Sequence, residues 1–156
     1  MRYDKAIGTE IIARFEARPE LLVQILNAIV ARYGFIPEDA VRHLAEELNL
    51  SRADVHGVVH YYHDFRTAPP GKTVVKVCQA ESCQAMGSRE LTAHVRERLQ
   101  LDLNETSADG RYTLEPVYCL GNCACSPAVM INDRVYGRVD AVRFDDALAA
   151  GMQEVN

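Results

Sequence analysis

The sequence of 156 residues predicts an α+β fold, with an N-terminal helical bundle followed by a compact α/β domain. Three observations support this prediction. Apolar residues recur at helical spacing through the first 66 residues, the segment Ala68-Pro69-Pro70-Gly71 interrupts that pattern, and short β-branched runs alternate with helical segments after it. We therefore expect a helical domain at residues 1–67 and an α/β domain at residues 72–156.

The helical half is expected to hold four helices. Its start and stop signals are Thr9 as the cap of the first helix, Pro19 before the second, Gly34 at the end of the second, Pro37 at the start of the third, and a capping box of Ser51 and Asp54 at the start of the fourth. Two adjacent apolar rows give the second helix a broad stripe. The helical half as a whole has more apolar surface than a free bundle of 66 residues needs, so we expect it to dock on a partner. Gly57 is expected to permit a close helix–helix approach.

The C-terminal half is expected to follow the order β-α-β-β-α, which is similar to a thioredoxin fold. The expected elements are a buried strand from Thr73 to Val77, a helix capped by Ser88, a strand from Tyr112 to Tyr118 that Pro116 makes bent or places at an edge, a hairpin around Asn132-Asp133, and a last helix capped by Asp140 that stops at Gly151.

Four cysteines follow two of the predicted strands in the pattern C-x4-C and C-x3-C: Cys78, Cys83, Cys119 and Cys123. Because each pair comes directly after a strand, we expect all four thiols at one end of the sheet. The spacing is looser than that of most zinc sites and suits a thiolate-bound [2Fe–2S] cluster. Cys125 also follows Cys119, so the fourth ligand is Cys123 or Cys125; the alternative role of Cys125 is that of a small buried apolar residue.

Other kinds of protein compete with an electron carrier. A structural zinc module that binds a partner would also use four thiolates, although this half has enough apolar strands and helices to fold without metal. A thiol oxidoreductase would need a C-x2-C pair at the start of a helix, which the sequence lacks. His56, His60 and His63 share a helix face, for which a solvated or interface role is favoured over a metal site.

Composition excludes several functions. The net charge of −5 disfavours nucleic acid as a partner, and no apolar run approaches the length that inserts into a membrane. The N-terminus lacks the apolar core of a secretory signal, so we expect a cytoplasmic protein with reduced thiols. Because reduction adds negative charge to an anionic cluster, backbone N–H groups of small-residue loops and the cations Lys76, Arg89 or Arg134 are expected to ease it.

Three segments resemble a known family: Cys78-Gln-Ala-Glu-Ser-Cys83-Gln-Ala-Met-Gly87, the run from Val117 to Met130 that reads Val-Tyr-Cys-Leu-Gly-Asn-Cys-Ala-Cys-Ser-Pro-Ala-Val-Met, and Gly57-Val-Val-His-Tyr-Tyr-His-Asp-Phe65. They are similar to the thioredoxin-like [2Fe–2S] ferredoxins, which include the small subunit in the NADH-oxidising module of respiratory complex I. Within that family, the two cysteine loops look most like the gamma subunit of soluble NAD-dependent formate dehydrogenases, which contain molybdenum or tungsten.

The resemblance implies a ligand set and partners. It carries the cluster ligands onto Cys78, Cys83, Cys119 and Cys123, and it leaves Cys125 outside. It implies a flavin- and NAD-binding partner subunit whose FMN lies near the cluster, and a larger catalytic subunit with molybdopterin. This chain lacks the dinucleotide fingerprint G-x-G-x-x-G, so we expect no complete enzyme in it alone. The alternatives are the equivalent subunit of complex I or of an NAD-reducing hydrogenase.

Overall fold

Helices form the first part of the chain and a mixed sheet flanked by helices forms the second, in a computed structural model that describes residues 2–153. The chain divides into two compact units, Met1–Pro69 and Pro70–Asn156. This architecture confirms the predicted α+β class. Within the described residues, none of the helices combines the length and the apolarity that crossing a lipid bilayer requires.

Four α-helices build the first unit: α1 (Lys5–Ala13), α2 (Leu22–Tyr33), α3 (Glu38–Glu47) and α4 (Arg52–Tyr61). Both apolar rows of α2 are used inside this unit, where Ile25, Leu26 and Ile29 are completely buried. They belong to one core together with residues of the other three helices, such as Leu44 and Val55. The broad stripe of α2 is therefore explained by packing within the unit.

Some helix signals are confirmed. Gly34 ends α2 in the left-handed conformation, with φ of 81°, and its N–H donates to the Val30 carbonyl. Ser51 and Asp54 form the predicted capping box, in which the Ser51 Oγ accepts from the Asp54 N–H at 3.0 Å. Pro37 lies at the position before the first residue of α3.

Two predictions in this half are wrong. Asp4, and not Thr9, caps α1, because the Asp4 carboxylate accepts from the Ala6 N–H at 2.9 Å while Thr9 lies inside the helix. Gly57 does not permit a close helix contact, since a Cβ built there meets nothing within 4 Å. It lies on an exposed face of α4.

A buried polar pair ties α3 to the start of the chain. The Tyr3 hydroxyl lies 2.8 Å from His43 Nδ1, and His43 is only 4% exposed. Burial, with nearby negative charges, raises the pKa of Tyr3 to about 12, so the phenol keeps its proton. Gly8 of α1 makes this pair possible, because a Cβ at that position would lie 2.9 Å from His43 Nδ1.

A five-stranded sheet and three helices form the second unit: β1 (Thr73–Cys78), α5 (Glu81–Ala85), α6 (Ser88–Leu99), β2 (Glu105–Thr106), β3 (Tyr112–Val117), β4 (Val129–Ile131), β5 (Arg134–Tyr136) and α7 (Ala141–Gln153). The strand order is β2-β3-β1-β4-β5, with β1 parallel to β3 and antiparallel to β4. Alternate residues of β1, Val75 and Val77, are buried in a core shared with α6 and α7.

The predicted order β-α-β-β-α holds, with α5 and the two-residue β2 added. The strand β3 is not an edge strand, because β2 lies beside it in the strand order, but β2 pairs with Thr113 and Leu114 only and does not reach Pro116, which has no N–H to donate. The hairpin around Asn132-Asp133 is confirmed, with Ile131 opposite Arg134.

Two of the helix ends differ from the prediction. Gly87, with φ of 99°, caps α6, and Ser88 is its first residue. The Ser88 hydroxyl instead donates to the Cys78 carbonyl at 2.5 Å. Asp140 caps α7 as predicted, since its carboxylate accepts from the Arg143 N–H at 2.8 Å. The helix continues through Gly151 to Gln153.

Candidate metal centre

The two parallel central strands deliver both cysteine pairs to one edge of the sheet. Cys78 is the last residue of β1 and pairs with Val117, the last residue of β3. Cys119 follows two residues later. Because β1 and β3 are parallel, the loops that follow them leave the sheet at the same end. The structure therefore brings the predicted residues to one region, as the sequence pattern indicates.

The first pair is buried. Cys78 and Cys83 are each 2% exposed and pack with Ala128. Cys83 lies in the short helix α5, and its thiol is within hydrogen-bonding reach of the Cys78 thiol.

The second pair lies at the surface. Cys119 and Cys123 are both exposed, and their Sγ atoms are 3.9 Å apart. The Gly121 N–H donates to the Cys119 Sγ at 3.3 Å. Cys83 is close enough to Cys123 for their charges to interact, so the buried and exposed pairs adjoin. The site thus has one side inside the protein and one side open.

Electrostatics differ between the thiols. Burial raises the pKa of Cys78, and Cys83 adds to the rise, whereas the N–H groups of Ala80 and Leu120 oppose it. Burial also acts to raise the pKa of Cys83, but hydrogen bonds from Ser126, Cys78 and the Ala128 N–H outweigh it, and the net pKa is lowered. Thus three backbone N–H groups near the buried pair already point at sulfur, as the small-residue loops predict.

Cys123 has a different environment. Its hydrogen bond with Cys119, and the negative charge of that neighbour, raise the pKa of Cys123. Two thiolates side by side repel each other, so the exposed pair favours a bound cation or iron centre that neutralises them.

A pair of hydroxyls, absent from the sequence prediction, joins the two cysteine loops. Ser82 Oγ and Ser126 Oγ lie 2.9 Å apart, and Ser126 Oγ is 3.5 Å from the Cys83 Sγ. Both serines are also within hydrogen-bonding distance of the Cys123 carbonyl. Ser82 and Ser126 are separated by 44 residues, so local sequence carries no signal of the contact beyond the small size of both residues.

Cys125 plays a structural part through its backbone. Its carbonyl accepts from the Arg138 N–H at 2.6 Å, and its N–H donates to the Asn122 carbonyl at 3.0 Å. Gly137 packs so close that a Cβ there would lie 2.7 Å from the Cys125 Cβ. These contacts hold the second loop in place without using the Cys125 sulfur.

The three cations considered for the cluster have other contacts. Lys76 Nζ lies 3.9 Å from the Glu115 carboxylate on the neighbouring strand. The Arg89 Nε donates to Gln84 Oε1 at 3.1 Å, and the Arg134 guanidinium lies over the Tyr136 ring. Their effect on a cluster stays a prediction.

His56 and His60 lie exposed on α4, whereas His63 lies beyond the last residue of that helix, so the prediction that the three histidines share one helix face is wrong. The rings of His56 and His60 stack with centroids 3.9 Å apart, and His60 Nδ1 lies 3.0 Å from the His56 carbonyl. Among residues 2–153, no group of three His, Cys, Asp or Glu side chains is gathered closely enough to hold a single metal ion. The four thiols are instead arranged as two adjoining pairs, an arrangement that suits the wider [2Fe–2S] cluster with its Cys₄ ligand set.

The fold and the paired thiols define the class: an α+β protein with a helical unit and a thioredoxin-like unit that carries two pairs of cysteines at one end of the sheet. The family model of the thioredoxin-like [2Fe–2S] ferredoxins matches residues 8–151, and the chain belongs to that family. As a member, it binds one [2Fe–2S] cluster.

Several proteins are similar along most of the chain. The HndA subunit of the NADP-reducing hydrogenase of Solidesulfovibrio fructosivorans is 30% identical over 143 residues, which cover 90% of this chain and 84% of that protein. A subunit of the NADH-quinone oxidoreductase of Pseudomonas aeruginosa is 34% identical over 117 residues, which cover 75% of this chain and 70% of that protein.

A solved structure shares the fold. The crystal structure of an NAD+-reducing [NiFe]-hydrogenase in the H2-reduced state matches with a TM-score of 0.73 at 20% identity, and the match covers 87% of this chain. It covers 23% of the hydrogenase chain, so this protein spans about a quarter of that chain's length.

Proposed function

We propose that this chain is the electron-transfer subunit of an NAD-linked oxidoreductase, in which Cys78, Cys83, Cys119 and Cys123 hold the [2Fe–2S] cluster. The observation that carries the proposal is the asymmetry of the site. Cys78 and Cys83 are buried, which fixes the cluster within the fold, whereas Cys119 and Cys123 are exposed. A cluster held this way presents one side to the surface, where a partner's redox group can approach.

The cluster supplies one-electron chemistry, and the surrounding residues stabilise its charge. N–H groups of Ala80, Leu120 and Ala128 point at the buried sulfurs, and the Gly121 N–H points at Cys119. Hydrogen bonds to thiolates help to set a cluster's reduction potential. The partner that fits is a flavin subunit that binds NAD, because a flavin accepts two electrons as hydride and passes them on singly.

Metal analysis tests directly whether the bound group is a [2Fe–2S] cluster. We expect iron and sulfide in equal amounts, a visible absorption spectrum, and an EPR signal after reduction. Colourless protein with stoichiometric zinc would contradict the proposal and favour the structural zinc module. We place the protein in the cytoplasm, where its five cysteines would not form disulfides.

The finer proposal concerns the catalytic partner. We propose formate as the substrate of a molybdenum- or tungsten-containing subunit, on the likeness of Cys-Gln-Ala-Met-Gly87 and Cys-Ala-Cys-Ser-Pro127 to the formate dehydrogenase gamma subunit. The second candidate is a hydrogenase or NADH-quinone oxidoreductase, which the names of the relatives favour. Purification of the native complex separates them: formate-dependent NAD+ reduction supports the first, and reduction with hydrogen, or quinone reduction by NADH, supports the second.

We also propose that residues 1–67 dock this chain on its partner. Tyr61 and Tyr62 support this role, since they are 75% and 43% exposed and their rings stack edge to face at the end of α4. Exposed aromatic residues are typical of interface hot spots. Replacement of both by Ser should release the subunit from the complex and leave the cluster bound. The matched control is Val142→Ser in α7, which is 70% exposed and should leave assembly intact.

A further inference from the structure

The Ser126 hydroxyl lies at the junction of the two cysteine loops. Ser126 is only 7% exposed. Its Oγ has three partners within hydrogen-bonding distance: the Cys83 Sγ at 3.5 Å, the Cys123 carbonyl at 2.8 Å and the Ser82 Oγ at 2.9 Å. The Ser82 Oγ is in turn 3.3 Å from the same Cys123 carbonyl.

The number of protons in this group limits the arrangements. Each serine hydroxyl has one hydrogen to donate, and the Cys123 carbonyl only accepts. When Cys83 is a thiol, its S–H donates to Ser126, and Ser126 donates to the carbonyl. When the Cys83 sulfur binds the cluster as a thiolate, it has no proton to donate and only accepts, so the Ser126 O–H, whose oxygen lies 3.5 Å away, is placed to turn toward the sulfur and donate.

The turn of Ser126 leaves the Cys123 carbonyl without its donor unless another hydroxyl replaces it. Ser82 is placed to do so, because its Oγ already reaches that carbonyl. The buried Cys83 thiolate then has a hydroxyl donor, and the carbonyl of the exposed Cys123 keeps a hydrogen bond within the protein.

We propose that Ser126 tunes the reduction potential of the cluster by donating a hydrogen bond to the Cys83 thiolate, and that Ser82 frees it for this role by taking over the Cys123 carbonyl. This inference rests on Cys83 being a cluster ligand. Reduction adds an electron to an anionic cluster, and a hydroxyl donor at a ligand sulfur stabilises the added charge. Loss of the Ser126 hydroxyl therefore makes the cluster harder to reduce.

Redox titration of the full chain, with dithionite as reductant and EPR detection, tests the proposal. Ser126→Ala should lower the midpoint potential, with a shift equivalent to about a tenfold change in the equilibrium constant, which is about 59 mV for one electron. Ser82→Ala should lower it by a smaller amount, because Ser126 would then be drawn back to the carbonyl. In the double variant, the Ser82 change should add nothing further.

A second measurement keeps the test independent of the potential. In the reduced wild-type protein, ENDOR should show the coupling of an exchangeable proton in ordinary buffer, and deuterated buffer should remove that coupling. The Ser126→Ala variant should lack the coupling in ordinary buffer as well. The matched control is Ser107→Ala, whose hydroxyl bonds Asp109 in a remote loop and should leave both readouts unchanged.

Three results would overturn the inference: an unchanged or raised potential in Ser126→Ala with iron and sulfide at wild-type levels, additive effects of the two substitutions, or an equal shift in Ser107→Ala. If the Ser126→Ala variant does not hold its cluster, the Ser82→Ala variant provides the test, because Ser82 is only half-buried. An unchanged reduction potential in Ser82→Ala would then contradict the exchange of donors. Absence of iron in the wild-type protein would instead contradict the proposed cluster itself.

Discussion

Cys78 and Val117 end two neighbouring parallel strands and lie opposite each other in the sheet. This pairing sets the position of the whole site, because the chain leaves β1 and β3 at the same edge and both cysteine loops begin there. A shift of one residue in this register would turn Cys78 to the other face of the sheet. The metal centre is thus a consequence of strand pairing.

The first prediction separates the four ligands from the fifth cysteine. Each ligand can be removed by a single substitution to Ala, at Cys78, Cys83, Cys119 or Cys123. Each of these four variants should lose most of the iron and of the visible absorption, since it lacks one thiolate of the cluster. Cys125→Ala should keep both, because the observed roles of Cys125 use its backbone carbonyl and N–H. Iron and sulfide analysis of the purified variants checks this. Loss of the cluster in Cys125→Ala would show that Cys125, and not Cys123, is the fourth ligand.

The second prediction concerns the packing that supports the exposed pair. A Cβ added to Gly137 would lie 2.6 Å from Asn122 Nδ2 and 2.7 Å from the Cys125 Cβ. Gly137→Ala should therefore displace the loop that holds Cys123 and speed the loss of the cluster to an iron chelator by several-fold. The decay of visible absorption measures the rate. Gly57→Ala is the control, since its added methyl meets nothing, and an equal rate in both variants would refute the packing role.

Local chemistry makes much of the fold predictable. The capping box of Ser51 and Asp54 and the left-handed Gly34 can be identified because each signal lies within a few residues of the structure it sets. Thr9 and Ser88 are mistaken for caps because both have a side chain that can cap a helix. The residue that caps α1 is Asp4, and the residue that caps α6 is Gly87.

Longer-range features are less accessible. The strand β2 is two exposed residues long, so it has no hydrophobic period to detect. The paired ends of β1 and β3 are predictable because each cysteine loop follows a segment that is predicted to be a strand. The contact between Ser82 and Ser126 depends on how the two loops fold back on each other, and nothing in the local pattern encodes it.

The third prediction concerns the thiols of the metal-free protein. Iodoacetamide should alkylate Cys119 and Cys123 before the buried pair, because access limits the reaction at Cys78 and Cys83. The pKa of Cys123 is raised by its hydrogen bond with Cys119 and by that neighbour's charge. A raised pKa leaves less thiolate at neutral pH, so alkylation of Cys123 should keep accelerating above the pH at which an ordinary thiol levels off.

Cys119→Ala removes the cause of this shift and provides the control. In that variant, the alkylation of Cys123 should reach half of its maximum rate at a lower pH than in the wild-type protein. Peptide mapping by mass spectrometry over a pH series gives both curves. Identical curves would show that the two exposed thiols titrate independently.

The fourth prediction compares two glycines of the helical unit. Gly8 packs against the buried pair of Tyr3 and His43, and a Cβ there would lie 2.9 Å from His43 Nδ1. Gly8→Ala should lower the free energy of unfolding by about 1–3 kcal/mol, the usual cost of overpacking, even though Ala is the better helix former. Gly57 lies in α4 with open space around it, so Gly57→Ala should raise the free energy of unfolding by about 1 kcal/mol.

Urea denaturation, with hydrogen exchange of the amides in α1 and α4 to report on this unit alone, measures the change in both variants. The two substitutions make the same chemical change in a helix, so effects of the same sign would show that the close packing at Gly8 does not decide the stability of this unit.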